Sequence, residues 1–205
     1  MHTKRWTAFS RTYFLTIFSL SLFFTLLACG SQDGEKIPEQ KAASPKVPVK
    51  EGNTSSTPYG TKAEIETYLN RINPHVQEVG RIQLSVDKNI GTSGRATGSN
   101  LAPVMDGLKP NLEDILDTLS VLDPPPLLSS FHGNFKKLVT LRIAAYDTVI
   151  RGYKIEKETG DLSLYEQAEA QLDEANKIIV LLNGEMGKIM KSLESSSNKQ
   201  TASPQ

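Results

Sequence analysis

Arg142 poses the sharpest chemical question in this chain. Around it Leu128, Phe131, Phe135, Leu138, Ala145, Val149 and Tyr153 recur at steps of three and four, the period of a helix with one apolar face. At about 100° per residue Arg142 falls in the centre of that face, flanked by Tyr146 and close to His132. A charge in apolar surroundings needs a partner, because desolvating it uncompensated is costly. The guanidinium's planar fork can grip an anionic ligand through two parallel hydrogen bonds. A polar layer that fixes the register of packed helices is the blander role for the same residue, and sequence alone prefers it.

Other candidate chemistry is thinner. His75 and Glu78 stand at helical i, i+3 spacing, but no further ligand clusters with them, so a solvated helix edge is the better reading than a metal site. Ferritin-type Glu-x-x-His pairs are absent, as are Gly-x-Ser-x-Gly, dinucleotide and P-loop patterns. Gly91, Gly94 and Gly98, with Arg95 among them, could cradle an anion before a helix start; a flexible interhelical loop is preferred. His132, Tyr146 and Arg142 can be imagined as acid, base and anion clamp, yet all three lie on one helix face and no nucleophile or metal joins them. No catalytic residues and no metal site are therefore assigned.

Four amphipathic segments must position these residues. The last is the clearest: Tyr165, Ala168, Leu172, Ala175, Ile179, Leu182, Met186, Ile189 and Leu193 form an unbroken seam, opened by a Ser163–Glu166 capping box after a Gly160 stop. The third runs from about Pro126 to Glu158. The second carries Leu101, Val104, Leu108, Leu112, Ile115, Leu119 and Leu122 and is closed by Asp123 and Pro124-Pro125-Pro126; Pro110 inside it predicts a kink or short break. The first runs from a Thr61–Glu64 capping box to about Ile90, its stripe passing straight through Pro74, which predicts one kinked helix. Gly91 to Asn100 reads as a loop. Helices of roughly 30 residues, about 45 Å long, with modest connections predict an all-α fold, an antiparallel up-down four-helix bundle. Counting equal distances from each connection puts Arg142 level with Gln83 and, within error, Asn183. A mid-bundle polar layer of Gln83, Arg142 and Asn183 follows, with Asp87 the nearest group to neutralise the charge.

The N-terminal stretch is of another kind. Lys4, Arg5 and Arg11 precede a charge-free hydrophobic run of 15 residues, Tyr13 to Leu27, shorter than the roughly 20 apolar residues of a spanning helix and followed at once by polar sequence. Leu26-Leu27-Ala28-Cys29-Gly30 resembles the lipobox of bacterial lipoprotein precursors. The resemblance covers only about the first 30 residues. It implies cleavage between Ala28 and Cys29 and diacylglycerol, with palmitate-type acyl chains, on the Cys29 sulfur. Two or three acyl chains, at about 0.8 kcal/mol per buried methylene, hold a protein firmly on a membrane. Asp after the cysteine commonly marks inner-membrane retention in Gram-negative lipoproteins; Gly30 does not match, so the outer membrane is favoured in such a cell.

Loss of residues 1–28 leaves 20 Lys and Arg against 23 Asp and Glu, a net charge of about −3, which argues against nucleic acid as a partner. Cys29 is the only cysteine, so no thiol remains for disulfides or metal, and no cofactor is expected beyond the covalent lipid. Residues 29–58 are rich in Lys, Glu, Pro, Ser and Gly and read as a disordered tether, residues 59–193 as the bundle, and residues 194–205 as a disordered tail. The expected protein is a membrane-tethered lipoprotein of the cell envelope, facing the periplasm or exterior. It is read as a non-enzymatic interaction or scaffold module with an envelope protein partner. A small anionic-ligand-binding or sensor-like bundle is the alternative, and an enzyme comes last.

Overall fold

The computed structural model describes residues 56–93 and 96–201. The expected signal peptide, its Ala28–Cys29 cleavage site, the lipidated Cys29 and nearly all of the tether lie outside these residues, as do Gly94, Arg95 and residues 202–205. The described chain is all-α, with four helices: α1 (Lys62–Ser93), α2 (Gly98–Val121), α3 (Ser129–Thr159) and α4 (Ser163–Thr201). A single 3-10 turn, Pro126–Leu128, leads into α3. Ahead of α1 a two-residue antiparallel pair, β1 (Ser56–Thr57) with β2 (Gly60–Thr61), makes a tight turn. Its Gly60 holds φ at 119°, a left-handed value that side chains resist.

The capping box read at the start of α1 is present in full. Thr61 N–H and Oγ1–H donate to Glu64 Oε2 at 2.9 and 2.7 Å, and Glu64 N–H donates back to Thr61 Oγ1 at 3.3 Å. Those bonds hold the Glu64 carboxyl below its ordinary pKa. The start of α4 differs from expectation. Its capping group is Asp161, whose carboxylate accepts from Ser163 N–H at 2.9 Å and from Ser163 Oγ at 3.0 Å, so Ser163 serves as donor where a capping box would use it as acceptor. At the other end of that linker Gly160 takes φ 77° as the left-handed cap of α3 and donates its N–H to Glu156 O.

Proline does not end α1 or α2. Pro74, Pro103 and Pro110 all stand on exposed faces inside continuous helices. The residues four before them, Asn70, Ser99 and Asp106, are exposed as well, so the turn that each proline interrupts lies on the solvent side of its helix. Helix α1 extends to Ser93 and α2 starts at Gly98, which shortens the loop expected over Gly91–Asn100. Helix α4 likewise runs past the tail boundary expected at Glu194, to Thr201. Ser195 and Ser196 return their hydroxyl protons to the carbonyls of Lys191 and Ser192, so these polar side chains satisfy themselves on the helix.

Consecutive helices pack on one another, α1 on α2, α2 on α3 and α3 on α4. One continuous core unites them: Ile65, Leu69, Ile72 and Ile82 from α1, Leu101, Met105, Leu112 and Leu119 from α2, Phe135, Leu138, Val139 and Val149 from α3, and Ala168, Ala175, Ile178 and Ile189 from α4. Each large apolar side chain so buried contributes about 1.5–3 kcal/mol. Helix α3 is the most enclosed, with buried residues beyond its predicted stripe, including Val139, Thr148 and Gly152. Lys109–Asp147 at 2.7 Å and Lys137–Glu174 at 2.8 Å tie α3 to its two neighbours at the surface, each worth at most about 1 kcal/mol.

Candidate ligand cavity

Arg142 sits near the midpoint of α3 with 1% of its surface exposed, the largest fully buried side chain of the described residues. Its Nη1 donates to Gln83 Oε1 on α1. The far end of the same amide, Gln83 Nε2, donates to Asp87 Oδ1 at 2.9 Å one helical turn on. The guanidinium is thus linked to a carboxylate through an amide, and among the described residues it makes no ion pair. Burial raises the Asp87 carboxyl above its ordinary pKa, partly offset by the Gln83 bond and the charge of Arg142. Burial also pulls the Arg142 guanidinium below its ordinary value, opposed by Tyr146 and Asp87.

One donor of the guanidinium is left over. Arg142 Nε is buried without a hydrogen-bond partner, and so is the hydroxyl of Tyr146 one turn away. That hydroxyl is near enough to interact with the charge but lacks hydrogen-bond geometry with it; burial raises its pKa against the pull of Arg142. An orphaned buried donor forfeits roughly 1–3 kcal/mol.

Next to Arg142 a cavity of about 60 Å³ opens between α1, α3 and α4. Gln83, Arg142 and Asn183 supply its polar groups, while Val79, Phe131, Phe135, Leu138, Leu182 and Met186 form apolar walls. Asn183 Oδ1 is the second orphaned atom in this lining. On the α1 side the wall contains Gly80, where an added methyl would meet nothing within 4 Å. An apolar cavity that admits benzene measures about 150 Å³, so this one is well below that size.

Of the site residues named from sequence, Gln83, Arg142 and Asn183 come together at this cavity and Tyr146 adjoins it. His132 does not. It lies ten residues before Arg142, about 15 Å along the helix axis, and pairs with α1: Tyr68 Oη is 2.9 Å from His132 Nδ1. Burial lowers the His132 pKa, with the Leu119 carbonyl acting in the opposite sense as a hydrogen-bond acceptor for the ring. This favours a neutral imidazole that accepts the Tyr68 proton at Nδ1 and donates from Nε2. Spacing gives no sign of Tyr68 as His132's partner, because the two are 64 residues apart.

The loop expected around Gly91, Gly94 and Gly98 is partly helical, with Gly94 and Arg95 outside the described residues. Gly91 is exposed within α1, and Gly98 is buried at the start of α2 beneath Tyr165, whose hydroxyl donates to Glu156 Oε2 at 2.6 Å. A Cβ on Gly98 would lie 1.7 Å from the Tyr165 oxygen and 2.7 Å from Glu156 Oε2. The Tyr165 hydroxyl fills the space above Gly98, which serves close packing.

His75 and Glu78 line an open groove of about 210 Å³ between α1 and α2, with Asn111, Asp114 and Thr118. Glu78 is engaged by Arg81 and, at 3.4 Å, by Asn111, and no group of three or more potential metal ligands occurs among the described residues. No described helix is long and apolar enough to cross a membrane. Comparisons of the chain with protein-family models, with curated proteins and with solved structures give no match.

Proposed function

We propose that this chain is a membrane-tethered envelope lipoprotein whose up-down antiparallel bundle is a non-enzymatic binding module for a small anion. The observation that carries the binding reading is Arg142: a fully buried guanidinium beside a cavity, with Nε unpartnered and its nearest carboxylate reached only through Gln83. A buried charge without full compensation costs several kcal/mol. An anion seated on Arg142 offsets that cost in the bound state alone, and this difference is what drives selective binding. The up-down arrangement is supported by the short connections and by the packing of each helix on the next.

The tether rests on the lipobox-like Leu26-Leu27-Ala28-Cys29 and the charged-then-apolar stretch before it. Lipid on Cys29 places the bundle on the outside of a membrane, the outer one in a Gram-negative cell given Gly30. Thermal denaturation of the purified full chain in small anions tests the binding reading. Acetate, propionate and lactate are scanned against wild type and Arg142→Ala. Wild type gains stability as RT ln(1 + [L]/Kd), about 2.7 kcal/mol at a hundredfold excess over Kd, and Arg142→Ala does not; equal responses in both proteins contradict it.

A scaffold role is the second reading, favoured by Val180 and Leu181, which stand 59% and 57% exposed side by side on α4. Replacing both with Ser abolishes recovery of a partner from solubilised envelopes if that role holds, and leaves the anion response intact.

A further inference from the structure

The end of the bundle from which the chain leads back toward Cys29 also carries the most exposed large apolar side chain of the described residues, Val121. Two contacts between α1 and α2 fix this. Asn111 on α2 meets Glu78 on α1, and further along, the His132 ring joins Tyr68 on α1 to the Leu119 carbonyl on α2. Residue numbers thus rise along α2 as they fall along α1. From the Tyr68–Leu119 level both helices continue to the same end, α1 back to Lys62 about 9 Å away and α2 on to Val121 about 3 Å away. There the chain passes from Lys62 through the β1–β2 turn to Ser56, and there α2 turns into α3.

The α2–α3 turn divides its apolar residues. Leu122 and Leu128 are buried and pin it to the core, whereas their chain neighbours Val121 and Leu127 stand 86% and 59% exposed. Between them Pro124, Pro125 and Pro126 have no N–H to strip of water. The carbonyls of Pro125 and Pro126 already accept from Leu128 N–H at 2.8 Å and Ser129 Oγ–H at 2.7 Å. The turn therefore presents hydrocarbon with few main-chain groups left to desolvate, which is what entry into a lipid interface demands. Exposed Asp117 and Asp123 lie beside the apolar pair, so an anionic surface is repelled. At the opposite end the α3–α4 turn exposes Lys157, Glu158 and Asp161 around Leu162, and these charges hold it in water.

Resting on the lipid proposed at Cys29, we infer that the α2–α3 turn is a second membrane contact, with Val121 and Leu127 entering the zwitterionic lipid surface that holds the anchor. An acylated cysteine fixes the place of the chain on a membrane and leaves the orientation of the bundle open, since residues 30–55 span at most about 90 Å. The turn supplies the orientation. Because the chain enters the bundle at the same end, the anchor and the turn reach one surface without the bundle having to fold back over its tether. The bundle stands on this end, with Arg142 about 20 Å further along α3 from Leu127.

Tryptophan fluorescence of the full-length protein, expressed in bacteria and reconstituted in phosphatidylcholine vesicles, tests this. Trp6 is the only tryptophan, and the wild-type signal is subtracted as background. Val121→Trp and Leu127→Trp are expected to shift their emission to the blue and to lose intensity when the lipid carries bromine on its acyl chains. Leu162→Trp at the opposite end and Val180→Trp on the flank of α4 are expected to do neither. All four positions are exposed, so each variant keeps the helical circular dichroism of wild type. Flotation of the same vesicles separates this inference from the anchor on which it rests. A protein that floats with Val121→Trp and Leu127→Trp unquenched, or with all four probes quenched alike, overturns the second contact and leaves the anchor standing. A protein that does not float with the vesicles overturns both.

Discussion

At the scale of single residues, two buried ionisable side chains on α3 divide the roles that the sequence had placed together. Arg142 and His132 share a helix face, but sharing a face says nothing of axial distance. Gln83 and Asn183 were legible as neighbours of Arg142 because level counting uses only the rise per residue and the turn positions. The Tyr68–His132 pair was not, since a hydroxyl at a core position has no period of its own. His132 makes a titration prediction. Its folded pKa lies below the unfolded 6.5, so above 6.5 both states are neutral and no penalty arises. As pH falls through that value the unfolded chain binds a proton that the folded one resists, and stability is lost. In urea denaturation the stability advantage of wild type over His132→Phe shrinks between about pH 6.5 and 5; an advantage independent of pH contradicts the buried neutral imidazole.

Helices are the level at which most of the architecture could be read, and each miss has a local cause. The seams of α1 and α4, the Thr61–Glu64 box and the Gly160 stop followed from spacing and residue type. Pro110 was ambiguous, because whether a proline breaks a helix depends on its tertiary surroundings. The α4 cap went to Asp161 because a carboxylate two residues upstream can accept from both Ser163 groups at once, which a Ser–Glu pattern search overlooks. Two glycines give opposite forecasts in thermal melts. Gly98→Ala forces the Tyr165 hydroxyl aside and lowers stability by about 1–3 kcal/mol, whereas exposed, unobstructed Gly184→Ala raises it by about 0.5–1 kcal/mol through helix propensity. Thr61→Ala removes the hydroxyl of the α1 cap at about 1 kcal/mol, measured by the same melts.

Across the whole molecule the all-α class followed from composition and period, and one core joins all four helices. The proposed lipid attachment at Cys29 lies outside the described residues, and packing does not report it. Cys29→Ser is expected to abolish membrane partitioning and leader removal together, read by fractionation and mass spectrometry; a serine variant still processed and membrane-bound rules out lipid attachment. On the proposed reading export and binding are separable, so loss of the proposed anchor is expected to leave the response of the Arg142 cavity to anions unaltered.

The account turns on the unpartnered Nε of Arg142, and the Nε–Hε resonance of that residue reads it most directly. It is identified in a proton–nitrogen spectrum of the full chain by its disappearance in Arg142→Lys and followed while lactate, propionate or acetate is added. A saturable shift of this one resonance is the predicted result. A resonance that stays in place at high concentrations of every acid, in a folded protein, contradicts the proposed binding site.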